Sequence, residues 1–515
     1  MKQDSDSLTR STLLLTGGGV GSQGLGFFYR VMLSRLVGAE TMGLYQLIMP
    51  VYSVLVSVTI TGMTVGLSSL SGKYAATGNQ KAATQLLYTS LRGLALLWVP
   101  MAAAVCLFSR PLAAQVLGDE RTRLGLVLLL PVLLLTGVEN LTKHHFYGLG
   151  ETRLPAAVEI GEQFIRTAAI LGLLALLLPL SQAHAVAVIV LGMVVSEIFS
   201  STTLTWFRRR REGPYRLQPG AGERPASLRR QLAQVAVPVS AAALLNNLIS
   251  SADSVLIPRQ LELFGLAAGD AMELYGVVFG MTLPLLTLPF AFVNALSLAL
   301  LPRLTRCAAL GDRRGGNRRT AKALQATSLV VLPLLGLLVP LSGDVGRVLF
   351  REERVGLYIL PLAAAVALSA YESVLSTVLN GAGKQSTSAA ISLLCGLLQL
   401  AFTWFGVGRY GFPAFLAGML TASALRVLLR LEVAVRATGL SLDWFSAFVG
   451  PALAAVLSGL CVNLLYQALQ RNGTSDGASL LLCVPAGLAL YFLTLRAQGV
   501  QIFYLVPSLR RRGVN

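Results

Sequence analysis

Apolar blocks long enough to cross a bilayer recur about fourteen times along the 515 residues, separated by short polar joints. Such a chain has few ways to fold. In hydrocarbon every backbone N–H and C=O must pair inside the segment or its sheet, which leaves helices or a closed barrel. A helical crossing takes roughly 20 mostly apolar residues to span about 30 Å. A barrel strand takes about ten residues of alternating polarity, and no such alternation is present. The blocks place helices at approximately 11–36, 43–70, 82–109, 124–148, 155–180, 183–207, 231–257, 272–302, 320–342, 354–380, 385–408, 411–436, 442–470 and 477–498. Only 13% of the residues are charged, against about a quarter in a soluble domain. The expected fold class is therefore an all-α polytopic membrane protein.

Lys and Arg gather in cytoplasmic joints. The joint between spans 6 and 7 carries Arg208, Arg209, Arg210, Arg211, Arg216, Arg224, Arg229 and Arg230. The joint between spans 8 and 9 carries Arg303, Arg306, Arg313, Arg314, Arg318, Arg319 and Lys322. Lys73, Lys81, Lys143, Arg153, Lys384, Arg430 and Arg436 mark the other even joints, whereas odd joints hold acids such as Asp119, Glu120, Glu262, Asp270, Glu352 and Glu353. Even joints and both termini are thus expected in the cytoplasm, and the tail Arg510-Arg511-Arg512 agrees. This topology accounts for the net charge of +18 without nucleic acid, for which no binding motif is present. Anionic membrane lipid is the expected partner of those bases. The first block follows Lys2 and Arg10 as a signal peptide would, but it is too long for one and is expected to be retained. The five cysteines show no metal or redox spacing.

The chain also echoes itself. Met42-Gly-Leu-Tyr45 opens span 2 and Met272-Glu-Leu-Tyr275 opens span 8. Beyond each comes a base, then Ala75-Ala76-Thr77-Gly78-Asn79 in one copy and Ala308-Ala309-Leu310-Gly311-Asp312 in the other. The expected organisation is two repeated six-helix lobes plus two C-terminal helices: an N-lobe at 1–207, a basic cytoplasmic linker at 208–230, a C-lobe at 231–436, and helices 13 and 14 with a basic tail at 437–515. Repeated bundles of this kind enclose transport paths.

Charges inside spans are the candidates for function, because burying them in lipid is costly. Glu159, Glu162 and Arg166 share one face of span 5, and Arg166 falls about 16 Å from the start of that span at 1.5 Å per residue. Two readings stand: a cavity arginine for an anionic substrate, or a Glu–Arg pair tying helices together. Arg30 lies in the outer part of span 1. Asp253 lies near the outer end of span 7 with Arg259 after it, placed to hold a cation or to pair with an arginine. Glu139, Glu197 and Glu372 are further acids that couple an ion or neutralise a base. His144 and His145 read as interface histidines, and no metal site is expected without three or four convergent ligands. Gly19, Gly21 and Gly24 match G-x-G-x-x-G, but inside an apolar span that pattern offers close helix approach, not nucleotide binding. No nucleophile elbow or Walker A loop is present, so no enzyme and no cofactor is expected beyond a coupling ion such as sodium or a proton.

Several segments resemble a known family. Leu25-Gly-Phe-Phe-Tyr-Arg30, Arg35-Leu-Val-Gly38, Phe146-Tyr-Gly-Leu-Gly150, Glu162-Gln-Phe-Ile-Arg166, Asp253-Ser-Val-Leu-Ile-Pro258 and Asn380-Gly-Ala-Gly-Lys384 are similar, in order, to the stage V sporulation protein B family of the multidrug/oligosaccharidyl-lipid/polysaccharide exporter superfamily. The resemblance covers spans 1 to 12. It implies alternating access and a lipid-linked oligosaccharide as cargo, a lipid II-like peptidoglycan precursor on undecaprenyl pyrophosphate, with a role in sporulation or cell-wall synthesis beside cell-wall enzymes. Two departures matter. Related murein lipid II flippases have an arginine where this chain has Tyr29, and another in span 2 where it reads Thr59-Ile-Thr-Gly-Met63. On the implied mechanism Arg30 and Arg166 attract the pyrophosphate, whose oxygens match guanidinium forks. Glu162, Asp253, Arg259 and Glu372 complete the polar path, and Asp253, Glu139 or Glu372 takes a coupling ion. The rivals are a drug/cation antiporter, a membrane-embedded transferase and a non-transporting scaffold for cell-wall enzymes.

Overall fold

The computed structural model describes residues 2–212 and 224–500, which are almost entirely helical, with no strand among them. Residues 213–223 of the basic linker and the tail arginines lie outside the described residues. Twelve described helices are long and apolar enough to cross a membrane, thirteen when the bent pair Ala268–Leu286 and Phe290–Ala309 counts as one crossing. One of them, Gln23–Ala76, has 54 residues, roughly 80 Å at 1.5 Å per residue, more than a single crossing needs. It is broken at Gly38, where φ is 77° and ψ 173°, a conformation that suits a residue without a Cβ. With both sides of that break counted, each expected block has its helix.

The helices that concern the site are α1 (Lys2–Val56), α2 (Gly62–Ala76), α3 (Gln80–Leu107), α4 (Arg123–Gly148), α5 (Arg153–Leu177), α6 (Gln182–Glu212), α7 (Pro225–Phe264) and α8 (Ala268–Tyr275). After them come α9 (Phe290–Ala309), α10 (Arg313–Leu338), α11 (Arg354–Gly381), α12 (Gln385–Ala401), α13 (Phe412–Thr438), α14 (Gly450–Arg471) and α15 (Asp476–Ala497). A π-helical turn, Ser57–Thr61, joins α1 to α2. The chain divides into compact units Met1–Gly276 and Val277–Asn515. That division falls later than the basic joint, because α7 packs on the first unit. Gly62 and Gly66 of α2 let it approach: a Cβ at Gly62 would stand 2.0 Å from the Ala236 carbonyl oxygen.

The duplicated five-residue pattern is a turn that stops one helix and starts the next. Gly78 and Gly311 take left-handed φ values of 72° and 66°. Asn79 and Asp312 then extend the backbone pairing, their N–H groups donating to the Tyr74 and Cys307 carbonyls at 2.9 Å in each copy. Their side chains cap the next helix, accepting from Ala82 N at 3.0 Å and Gly315 N at 2.8 Å. This is a helix stop with a left-handed glycine followed by an N-cap. Gly150 and Gly383 end α4 and α11 with the same backbone bonds, so the echo reaches two further even joints.

Three odd joints of the first unit meet at its other end. Arg121 donates to Glu40 at 2.7 Å and to Asp119 at 3.0 Å, and it also binds Gln182. Gln182 in turn donates to Glu40. The core between the two ends is aliphatic, with Leu67, Leu86, Leu87 and Leu133 fully buried. Outward leucines such as Leu96 and Leu176 are exposed, the arrangement suited to a lipid solvent.

Candidate functional site

In the first unit, α6 packs against both α4 and α5, and each of the three helices places one acid in the shared interior. Glu139, Glu162 and Glu197 are all buried. A carboxylate oxygen from each lies within 4.8 Å of the others. Two bases answer them, each one helical turn from an acid. Lys143 Nζ reaches Glu139 at 3.0 Å and Glu159 at 3.8 Å. Arg166 donates to Glu162, to Glu197 at 3.0 Å and to the Ser196 hydroxyl at 3.1 Å. The Tyr52 hydroxyl donates to Thr136 Oγ1 at 2.9 Å, one turn before Glu139. Tyr29 and Tyr45 stand within electrostatic reach of Arg166. The arrangement can hold charged groups of either sign, because its own ion pairs supply the alternative partners.

Of the residues singled out from sequence, the structure brings Glu139, Glu162 and Arg166 together. Arg30 is exposed on α1, within electrostatic reach of Tyr45. Asp253 is half-buried on α7, beside Tyr275. Arg259 runs along Gly118, in the joint before span 4. Glu372 belongs to a separate cluster in the second unit. There it accepts from Arg426 at 3.0 Å and from Arg430 at 3.0 Å. Arg430 also donates to Ser392 Oγ at 2.5 Å and to the Ser388 carbonyl at 3.3 Å.

Two readings are corrected. Arg430 was expected in a cytoplasmic joint; it is 3% exposed inside α13, because Glu372 and the α12 oxygens replace water around its guanidinium. His145 was expected at the interface; it is 1% exposed and its Nδ1 is 3.3 Å from Ser71 Oγ. Glu197 was one acid among several and proves to be a member of the cluster. The visible signal for Arg426 and Arg430 was their four-residue spacing within a mostly apolar span.

A family model described as polysaccharide biosynthesis protein matches residues 8–307. The chain belongs to the polysaccharide biosynthesis protein family. This family member is 24% identical, over 492 residues and 94% of each chain, to stage V sporulation protein B of Bacillus subtilis (strain 168). Among solved structures, it resembles the lipid II flippase MurJ in an inward closed conformation, with a TM-score of 0.66 and 13% identity over 94% of this chain and 98% of that one. It also resembles an inward-facing multidrug resistance MATE family transporter of the MOP superfamily, with a TM-score of 0.65 and 14% identity over 81% and 96% of the two chains. The chain thus shares the multi-helix fold of these two solved structures.

Proposed function

We propose that this polysaccharide biosynthesis protein is a flippase for a saccharide carried on undecaprenyl pyrophosphate, of the lipid II kind. It would move that cargo across a bacterial cytoplasmic membrane by alternating access, with both termini in the cytoplasm. The observation that carries the reading is Arg166, a guanidinium held among carboxylates within a membrane-embedded bundle. Ion pairs at such depth are costly and mark substrate paths. A pyrophosphate competes with Glu162 and Glu197 for Arg166, since all present paired oxygens to the same fork. Arg30, exposed on α1, is the second guanidinium that meets the phosphates. The match to a flippase fold supports the same cargo class.

The test is translocation of fluorescent lipid II in proteoliposomes. Wild type should flip it, and Arg166→Ala and Arg30→Ala should each slow flipping at least about tenfold, the loss of one charge-assisted contact of roughly 1.5–3 kcal/mol. Full rates in both variants would sink the assignment of roles. A second reading, a cation antiporter of the same superfamily, is favoured by the three clustered carboxylates. It predicts uptake of a small cationic dye that depends on Glu162 and is indifferent to lipid II.

A further inference from the structure

The cluster of the second unit does not balance on its own charges. Arg426 and Arg430 of α13 meet on one carboxylate oxygen of α11: Glu372 Oε1 accepts from Arg426 Nη1 at 3.2 Å and from Arg430 Nη1 at 3.0 Å. Among the described residues, the titratable groups within electrostatic reach of Arg430 are Glu372, Arg426 and Cys395, the last from α12. Two guanidiniums, which stay charged at any pH a protein meets, therefore face one carboxylate. One positive charge is left over on side chains that are 3% exposed for Arg430 and 22% for Arg426. An uncompensated charge in such an interior is expensive.

Unpaired donors mark the same place. Arg430 Nη1 donates to Glu372 Oε1 and to the Glu372 carbonyl at 3.1 Å, and Nη2 donates to Ser392 Oγ and the Ser388 carbonyl. Each terminal nitrogen thus has two partners, and Nε–H, the fifth donor of the group, is buried with none. The Nε of Arg426 is buried and unpaired as well. A third such group comes from α12. Ser388, Ser392, Cys395 and Gln399 recur there at helical spacing, on one face. The two serines hold Arg430, and Cys395 is within hydrogen-bonding reach of Arg426. Gln399, one turn further, is 9% exposed, and neither polar atom of its amide has a partner. Buried polar atoms nearly always have one.

We propose that Arg426 and Arg430 bind one monovalent anion, chloride, against their unpaired Nε–H groups, with the Gln399 amide as a third donor. The charge count selects a monovalent ion. Chloride makes the cluster neutral, whereas sulfate or a phosphate dianion would turn one surplus positive charge into one surplus negative charge. The donor pattern selects a halide over a carboxylate. A two-oxygen anion matches a paired edge of a guanidinium, and Arg430 has no such edge free, because both terminal nitrogens are taken by Glu372 and the serines. A spherical ion needs no edge and accepts from single N–H groups of different side chains. Arg426, the more exposed of the two arginines, gives the ion a way in. Once seated, chloride removes the surplus charge that α11, α12 and α13 would otherwise have to bury, so the stability of this unit becomes chloride-dependent. The site does not depend on the flippase reading.

The experiment is binding of radioactive chloride to the purified full chain in nanodiscs, without cargo, in gluconate-balanced salt. Wild type should bind one chloride per chain, saturably, with bromide competing and inorganic pyrophosphate not. Arg426→Gln leaves Glu372 and Arg430 as a neutral pair and should weaken binding at least about tenfold, the loss of one charge-assisted contact. Arg436→Gln, at the exposed pair with Glu432, should leave binding unchanged. Glu372→Gln removes the competing carboxylate and should tighten binding about tenfold, which a purely structural role of Glu372 would not produce. Chloride should also raise the melting temperature of wild type, and more strongly that of Glu372→Gln, but not that of Arg426→Gln, which separates a lost site from a lost fold. Absence of saturable chloride binding in monodisperse wild type would overturn the proposal. So would unchanged binding in Arg426→Gln, or displacement of chloride by pyrophosphate and not by bromide.

Discussion

Lys143 is a residue whose partners decide its cost. Its side chain is 14% exposed and lies between Glu139 and Glu159. Glu139→Ala leaves this largely buried ammonium with only the exposed Glu159 at 3.8 Å and should cost about 3–5 kcal/mol, as removal of one member of a buried pair does. By contrast, Arg436→Ala breaks an exposed pair with Glu432 and should cost less than about 1 kcal/mol. Thermal unfolding of both variants in one detergent measures the difference, and equal losses would contradict it. Glu372→Ala should resemble Glu139→Ala, because it leaves Arg430 buried without its carboxylate. At this scale the sequence was half legible. Glu162 and Arg166 are one turn apart, so their pairing could be read directly. The convergence of Glu139 and Glu197 on them could not, because it depends on which helices become neighbours. Arg430 misled for a related reason. A base near the end of an apolar block looks like a joint, and its partner Glu372 stands 58 positions earlier in the chain.

At the scale of elements, the paired turns are local devices with local costs. Asn79→Ala and Asp312→Ala each remove one cap and should each destabilise by about 1 kcal/mol. Asn79→Asp and Asp312→Asn should be nearly neutral, since both residue types accept from the capped N–H groups. Melting temperatures of the four variants check this, and large losses in the conservative pair would show that the caps do more than end helices. These turns were legible because five consecutive residues specify them. The π-helical turn at Ser57–Thr61 was not, since its extra residue hides inside an uninterrupted apolar run. The break at Gly38 emerged from sequence only as a gap between two blocks.

For the whole molecule, the number of crossings follows from length and apolarity, and the alternation of bases predicts which ends face the cytoplasm. Glu353 and Arg314 are exposed in joints of opposite parity. In a background with exposed Cys106 and Cys461 replaced by serine, Glu353→Cys should react with an impermeant maleimide on intact cells. Arg314→Cys should react only after permeabilisation, and the reverse pattern would invert the topology. The extent of the first compact unit was less legible, because close packing of α7 on α2 outweighs the basic joint that precedes α7. The clasp that joins the odd joints of that unit has a temporal meaning as well. Arg121 holds Glu40 and Gln182, residues 142 positions apart in the chain. A ribosome delivers the first of them long before the last. Until Gln182 emerges, only the Arg121–Glu40 half of the clasp can form, and the fifth crossing has to be complete before the clasp can shut.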